Sequence, residues 1–535
     1  MLNIKLAFAQ TNPVVGNYAA NANEIQALMT QAHKAGIDLL IFGELALCGY
    51  PMGDFSLRRD LVERSEYFLD QIVQHSASLP GLTSVIGHIR LASKAGPAIQ
   101  VTEAIAHNSA TVLSEGKILG QYDKRRLPNY DVFDDWRNFV PGDRELVLEL
   151  SGVKVAVLIC EDIWADSDRA SELAAQGVEL LVVPNGSPFT KSKNSERLQA
   201  AQRFGLGMHV AYVNLAGGQD ELVFDGHSFL LDKTGELVYR AGNQPGLHSV
   251  EVGRIETQGA DEELWQTLVT GLRDYLVKTS QHKVVLGLSG GIDSALTAAL
   301  AAEAIGPANV LGVGLPSRYS SDHSLIDAAA VASNLGIEYR VISIEPAHQA
   351  LEGMLELPGV AGENVQARIR ALVLMGISNA EGRLLLTTGN KSEVSVGYST
   401  IYGDSAGGFA PIKDLFKTDV WRMARYCNER SGVELIPETS ITKAPSAELR
   451  PGQTDQDSLP DYHLLDQVLK LLIEEKQTVQ EIVSAGFDHK LVEGIDAMVQ
   501  RAEWKRSQSA IGTKVSKVAF GRGRRVPLTT RFDQI

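Results

Sequence analysis

Cysteine is scarce in this chain: Cys48, Cys160 and Cys427 are the only three in 535 residues, widely separated and without paired spacing. That excludes a disulfide framework and a cysteine-built zinc cage, and it fits a reducing cytosol. Long apolar runs are missing too. None approaches the roughly 20 residues needed to span a bilayer. The opening residues MLNIKLAFAQTNPVVGN hold one short apolar strand and then Pro and Gly, without the apolar core and cleavage site of a signal peptide. A soluble, cytoplasmic protein is therefore expected. Positive charge is also in deficit: 50 Lys plus Arg face 65 Asp plus Glu, a net charge of −15. This opposes binding to nucleic acid or to an anionic membrane, so an anionic ligand must be held locally. The exception is the tail from Trp504 to Phe532, with eight basic residues and no acidic one.

What is present is the composition of a folded globular protein, 44% apolar and 21% charged. The length allows roughly two to four domains. The first half alternates apolar strand-like strings (IKLAFAQ, DLLIFGE, VKVAVLIC, VELLVVPNG, HVAYVNLAG) with helix-compatible ones, which argues for an α/β architecture. Around Val252 to Glu263 the chain turns polar and glycine-bearing, and a helical apolar period then resumes. We place the domain boundary there, giving domains 1–255 and 256–535. The second half repeats the alternation with VVLGLSGG, NVLGVGLPS, IEYRVISI and RLLLTTGN, as in a parallel sheet covered on both faces. Residues 443–461, rich in Pro, Asp and Gln, read as a mobile loop.

In LGLSGGIDS the strand ends near Leu288, and Ser289, Gly290 and Gly291 turn the chain so that backbone N–H groups can converge on an anion at the start of a helix. Glycine permits positive φ and close approach of phosphate oxygens. Asp293 then stands where a carboxylate could hold Mg²⁺. The Gly-Lys-Ser ending of an ordinary ATPase loop is absent. The string SGGIDS resembles the loop of the N-type ATP pyrophosphatases, which cleave ATP to AMP and pyrophosphate. That likeness implies ATP contacts from Gly287, Leu288, Ser289, Gly290, Gly291, Ile292, Asp293 and Ser294, and adenylation of an acceptor that a nitrogen or sulfur nucleophile then attacks.

Three strings of the first half sit at or just after expected strand ends: FGELALCGYP around Glu44, GQYDKRRLPNY around Lys124 and AVLICEDIW around Cys160. Together they resemble the Glu, Lys, Cys triad of the nitrilase superfamily, whose fold is an α-β-β-α sandwich. A thiol of ordinary pKa, about 8.5, is mostly unionised at neutral pH and needs a base or a positive field. The likeness gives Glu44 the thiol proton, Cys160 the attack on a glutamine carboxamide, and Lys124 the oxyanion. It further implies glutamine contacts from Tyr130, Ser187 and Lys193. Glu161 and Asp162 beside the thiol are expected to point away or to support the site from behind. One departure stands out: where relatives often carry Phe-Asp-Glu, this chain has Phe133-Asp134-Asp135.

A nitrilase-type glutaminase placed before an SGGIDS domain resembles the glutamine-dependent NAD synthetases over essentially the whole chain. Leu at position 2 argues against the asparagine synthetases, which need an N-terminal cysteine, and no Cys-His-Glu amidotransferase like that of GMP synthetase is seen. The resemblance implies a doubly wound, Rossmann-like synthetase domain, with ATP and Mg²⁺ (Asp293 and Glu393) and deamido-NAD as acceptor. It also implies further ATP contacts from Thr388, Lys417 and Ser446, and deamido-NAD contacts from Asn364, Glu393, Asp404 and, in the basic tail, Lys514. A homo-oligomer is implied by the same route. Ammonia released into neutral water would mostly become ammonium, which has no lone pair for attack, so a sheltered path is expected. A nucleotide-sensing module without turnover, or a different acceptor, stays open at this point.

Overall fold

The computed structural model describes residues 2–92, 104–164, 167–205 and 207–530. The end of the basic tail, Arg531 and Phe532, lies outside them. The chain forms two compact units, Met1–Gly259 and Ala260–Ile535.

The first unit is built on two six-stranded sheets. One has the order Gly246–Ser249, Leu6–Gln10, Leu39–Phe42, Thr83–Leu91, Ala106–Ser114, Lys117–Asp123; the other runs Leu237–Arg240, Phe229–Leu231, His209–Asn214, Leu180–Asn185, Val153–Val157, Val147–Leu150. Alternation along each strand divides its side chains between two cores. Leu6, Phe8, Leu39 and Ile41 pack with Val155, Val182 and Tyr212 between the sheets. Ala7, Ala9, Leu40 and Phe42 turn the other way, onto Ile25, Met29, Leu69 and Ile72 of the helices Tyr18–Lys34 and Arg59–Ser76. The helix Lys193–Phe204 covers the second sheet through Ala201 and Phe204. The result is the expected α-β-β-α sandwich.

The second unit carries a four-stranded, all-parallel sheet in the order Glu338–Val341, Val310–Gly314, Val284–Gly287, Leu384–Leu385. All four expected strands form. From Val284–Gly287 the chain winds first to one side and later to the other, so the loops after Gly287 and Leu385 leave adjacent strands in opposite directions. A ligand crevice belongs at such a switch point. Nearly every side chain of the alanine-rich helix Ile292–Ile305 is buried, and small side chains there let it lie close to the sheet. A separate core of Leu465, Val468, Leu469, Ile482, Val492 and Ile495 gathers the helices Tyr462–Leu469, Val479–Ser484 and His489–Arg501. Residues 443–461 hold no regular element beyond the short 3₁₀ turn Asp455–Asp457. Among the described residues, no helix is long and apolar enough to cross a membrane.

Candidate active sites

In the first unit, Glu44 follows the strand Leu39–Phe42, Lys124 follows Lys117–Asp123, and Cys160 opens a 3₁₀ turn, Cys160–Ile163, after Val153–Val157. All three are buried. The Lys124 ammonium lies 2.7 Å from Glu44 Oε1 and 2.6 Å from Asp135 Oδ2. Glu44 also accepts from Asn108 Nδ2 at 2.8 Å and from the Gly186 N–H at 2.9 Å, while Tyr50 OH donates to Asp135 at 3.1 Å. The shortened carboxylate of the Phe-Asp-Asp string is thus the second anchor of Lys124. The two carboxylates hold the lysine pKa well above its usual range against the opposing effect of burial.

Cys160 has φ +45°, in the left-handed region that non-glycine residues seldom occupy. Such backbone persists only where surroundings enforce it, and here Asp162 does so. Its carboxylate accepts from the N–H groups of Ile159, Arg125 and Arg126 and from Tyr122 OH at 2.8 to 3.2 Å, stapling the thiol turn to the segment that follows Lys124. Glu161 turns the other way and accepts from Tyr130 OH at 2.9 Å. Burial, followed by the Glu44 carboxylate, pushes the Cys160 thiol pKa up, and Lys124 only partly offsets this. The resting group is therefore a neutral thiol, which needs a base at the moment of attack. Ser187 lies after the strand Leu180–Asn185, and the Lys193 ammonium sits 4.2 Å over the Trp164 ring.

In the second unit, the loop from Gly287 to Ser294, Gly290 excepted, lines a cavity of about 310 Å³ together with Thr388, Glu393, Asp404, Lys417 and Ser446. Gly290 takes φ +81°, and a Cβ there would collide with the Ser324 carbonyl. The turn is closed by its own hydroxyls: Ser289 N–H donates to Ser294 Oγ and Gly291 N–H to Ser289 Oγ, each at 3.2 Å. Lys417 Nζ pairs with Asp293 and lies 3.6 Å from Glu393. Asn390 caps the helix Lys391–Val396 and donates to Asp293 Oδ1 at 2.8 Å, joining the Gly287–Ser294 loop to the segment that carries Glu393. Burial and then Asp293 push the Glu393 pKa up to about 8.

Matches to known proteins follow the same division. Residues 5–260 match the carbon-nitrogen hydrolase family and residues 264–509 the NAD synthase family. The glutamine-dependent NAD(+) synthetase of Thermotoga maritima is 40% identical, with 100% of each chain covered; that of Acinetobacter baylyi is 41% identical over 99% of this chain and 98% of its own. This chain belongs to the glutamine-dependent NAD(+) synthetase family. A solved structure of the Acinetobacter baumannii member, in complex with ADP, is 36% identical with TM-score 0.77 and 98% of both chains covered.

Against that family background, the remaining candidates fall in three places. Asn364 stands beside the cavity, where its Oδ1 accepts from Thr400 Oγ1 at 2.7 Å, and Thr400 N–H donates to Asp404 at 2.6 Å. Ser446 reaches the lining, with its hydroxyl given to the Gln453 carbonyl at 2.6 Å. Lys514 does not reach it: it is buried, with its ammonium on the carbonyls of Ser516 and Lys517 at 2.7 and 3.1 Å. Arg370 was missed in the sequence because it looks like one more charge on an amphipathic helix. It lines the cavity, Nε donates to the Leu315 carbonyl at 3.0 Å, and no acidic side chain among the described residues pairs with it.

Proposed function

We propose that the chain is a ligase that joins nitrogen from glutamine to the nicotinate carboxylate of deamido-NAD, yielding NAD⁺, AMP, pyrophosphate and glutamate. The observation that carries this reading is full-length identity near 40% to synthetases of that name. With it go a buried Glu-Lys-Cys centre in one unit and an SGGIDS cavity in the other.

In the glutaminase, assigned to residues 1–255, Glu44 takes the Cys160 proton as sulfur attacks the carboxamide of a glutamine held by Tyr130, Ser187 and Lys193. Lys124, fixed by Glu44 and Asp135, stabilises the oxyanion. Glu44 returns that proton to the departing nitrogen, which leaves as ammonia; the carboxylate so regenerated takes a proton from the water that releases glutamate from the thioester and restores the thiol. The nitrogen then travels without mixing with solvent; glutamine with a labelled amide, turned over in excess unlabelled ammonium, should deliver undiluted label.

In the synthetase, assigned to residues 256–535, the loop from Gly287 to Ser294 with Thr388 and Ser446 holds ATP. Lys417 offsets charge growing on the departing pyrophosphate. Asn364, Glu393 and Asp404 face the dinucleotide. The oxygen donors Asp293 and Glu393, crowded around a single lysine, fit Mg²⁺, which commonly takes one or two carboxylates and completes its shell with phosphate oxygens and water. When bound, Mg²⁺ offsets phosphate charge. The assembly is proposed to be a cytoplasmic homo-oligomer.

Product analysis tests the reading. With ATP, Mg²⁺, glutamine and deamido-NAD, AMP and NAD⁺ should form in equal amounts; ADP and orthophosphate in their place would overturn it.

A further inference from the structure

The glutaminase unit buries a second ion pair that the chemistry above leaves without a task. Arg197, on the helix Lys193–Phe204, is 2% exposed. Its Nε donates to Ser187 Oγ at 3.0 Å, Nη1 to Asn194 Oδ1 at 3.1 Å and Asp225 Oδ2 at 3.0 Å, and Nη2 to the carbonyls of Ser187 and Pro188 at 2.7 and 3.1 Å. All five N–H groups are engaged, and the buried Asp225, at the end of the strand Leu222–Asp225, matches the charge. Asn214 grips the same segment: its Oδ1 accepts the Ser187 N–H at 2.9 Å and its Nδ2 donates to the Ser187 carbonyl at 3.0 Å.

A desolvated ion pair is weak support for stability, because apolar side chains of similar volume often serve as well. A guanidinium with every donor used also cannot bind substrate directly. What the pair supplies is geometry. Arg197 lies one helical turn beyond Lys193, whose ammonium rests over Trp164, four residues past Cys160. The rigid fork of Arg197 therefore ties Ser187, the first turn carrying Lys193 and the thiol turn into one frame. Because Ser187 Oγ accepts from Arg197, its own proton is held for donation, either to the buried Tyr212 hydroxyl beside it or to a substrate.

We infer that Arg197, locked by Asp225, is a positioning residue of the glutaminase, presenting Ser187 as a hydrogen-bond donor and Lys193 as a cation to the amino-acid end of glutamine. This rests on the reading of the first unit as a glutaminase.

The test is Arg197→Lys in the full-length enzyme, which keeps the charge and loses the fork. Expected are a rise of about 10- to 100-fold in KM for glutamine with a smaller change in kcat, unchanged synthesis from ammonium, and an unchanged rate of Cys160 alkylation by iodoacetamide. Asp225→Asn should shift KM in the same direction. An unaltered glutamine KM in Arg197→Lys would overturn the inference. So would a collapse of Cys160 alkylation, which would make the residue a support of the fold and nothing more. A Cys160→Ala control keeps the two claims apart: glutamine-dependent synthesis surviving in it would sink the glutaminase reading itself, whatever Arg197→Lys does.

Discussion

Around Lys124, each carboxylate reaches the same ammonium and is completed by neutral donors: Asn108 and the Gly186 N–H on Glu44, and Tyr50 on Asp135. Around Asp293 the balance is different. Asp293, Glu393 and Asp455 line one cavity with Lys417 as their shared cation, while Arg370 in the same wall feels Glu448 and Asp404 only at a distance and forms no ion pair among the described residues. The first site takes a neutral carboxamide and must have its proton machinery assembled beforehand. The second, on the proposed reading, would take polyanions and Mg²⁺, and those ligands would complete its electrostatics. Charge left unmatched in a cavity is thus a sign of what the cavity receives.

Breaking the contrast from the pre-assembled side should have the largest effect. Lys124→Met leaves Glu44 and Asp135 buried together without their cation, and loss of one partner from a buried pair commonly costs about 3–5 kcal/mol of stability. Glutamine-dependent synthesis should fall by about 10²- to 10³-fold or more, with synthesis from ammonium retained; steady-state rates with the two nitrogen donors measure both. On the ligand-completed side, Arg370→Met removes an unpaired cation and should leave stability nearly unchanged while raising KM for an anionic substrate about tenfold, as one charge-assisted hydrogen bond would. A thermal melt and the KM values for ATP and the dinucleotide decide it.

The smallest expected effect is linkage to pH. Glu393, near 4.3 when unfolded, is held up to about 8 in the folded chain. The folded state therefore binds the extra proton between those values, and stability without Mg²⁺ declines as pH rises through that window. A divalent cation would replace the proton. Mg²⁺ should then raise Tm by about 2–4 °C more at about pH 8.5 than at about pH 6.5, and Glu393→Gln should flatten the difference.

Local pattern made much of this legible in the sequence. Alternating apolar strings became strands, and the strand-end strings around Glu44 and Lys124 met because parallel strands bring their carboxyl ends to one edge. The Phe-Asp-Asp departure was visible, but its partner was not, since nothing local says that Asp135 reaches Lys124 eleven residues back. Arg197 and Asp225 lie 28 residues apart, on a helix and a hairpin strand. Such a pairing is set by tertiary packing and leaves no periodic trace. Glu161 and Asp162 could not be told apart because they sit on a 3₁₀ turn and not on an alternating strand: one reaches Tyr130, the other the backbone around Cys160. Lys514 was implied by the family resemblance alone, and nothing local in the sequence says that its ammonium rests on backbone carbonyls.

The central claim is that the two units divide one reaction, with nitrogen released at Cys160 and consumed above Asp293. The most direct test runs Cys160→Ala and Asp293→Ala side by side, each with glutamine and with ammonium, following AMP and NAD⁺. The account predicts that Cys160→Ala loses synthesis from glutamine and keeps synthesis from ammonium, while Asp293→Ala loses both. Loss of both activities in Cys160→Ala, in a protein whose melting temperature is unchanged, would contradict it.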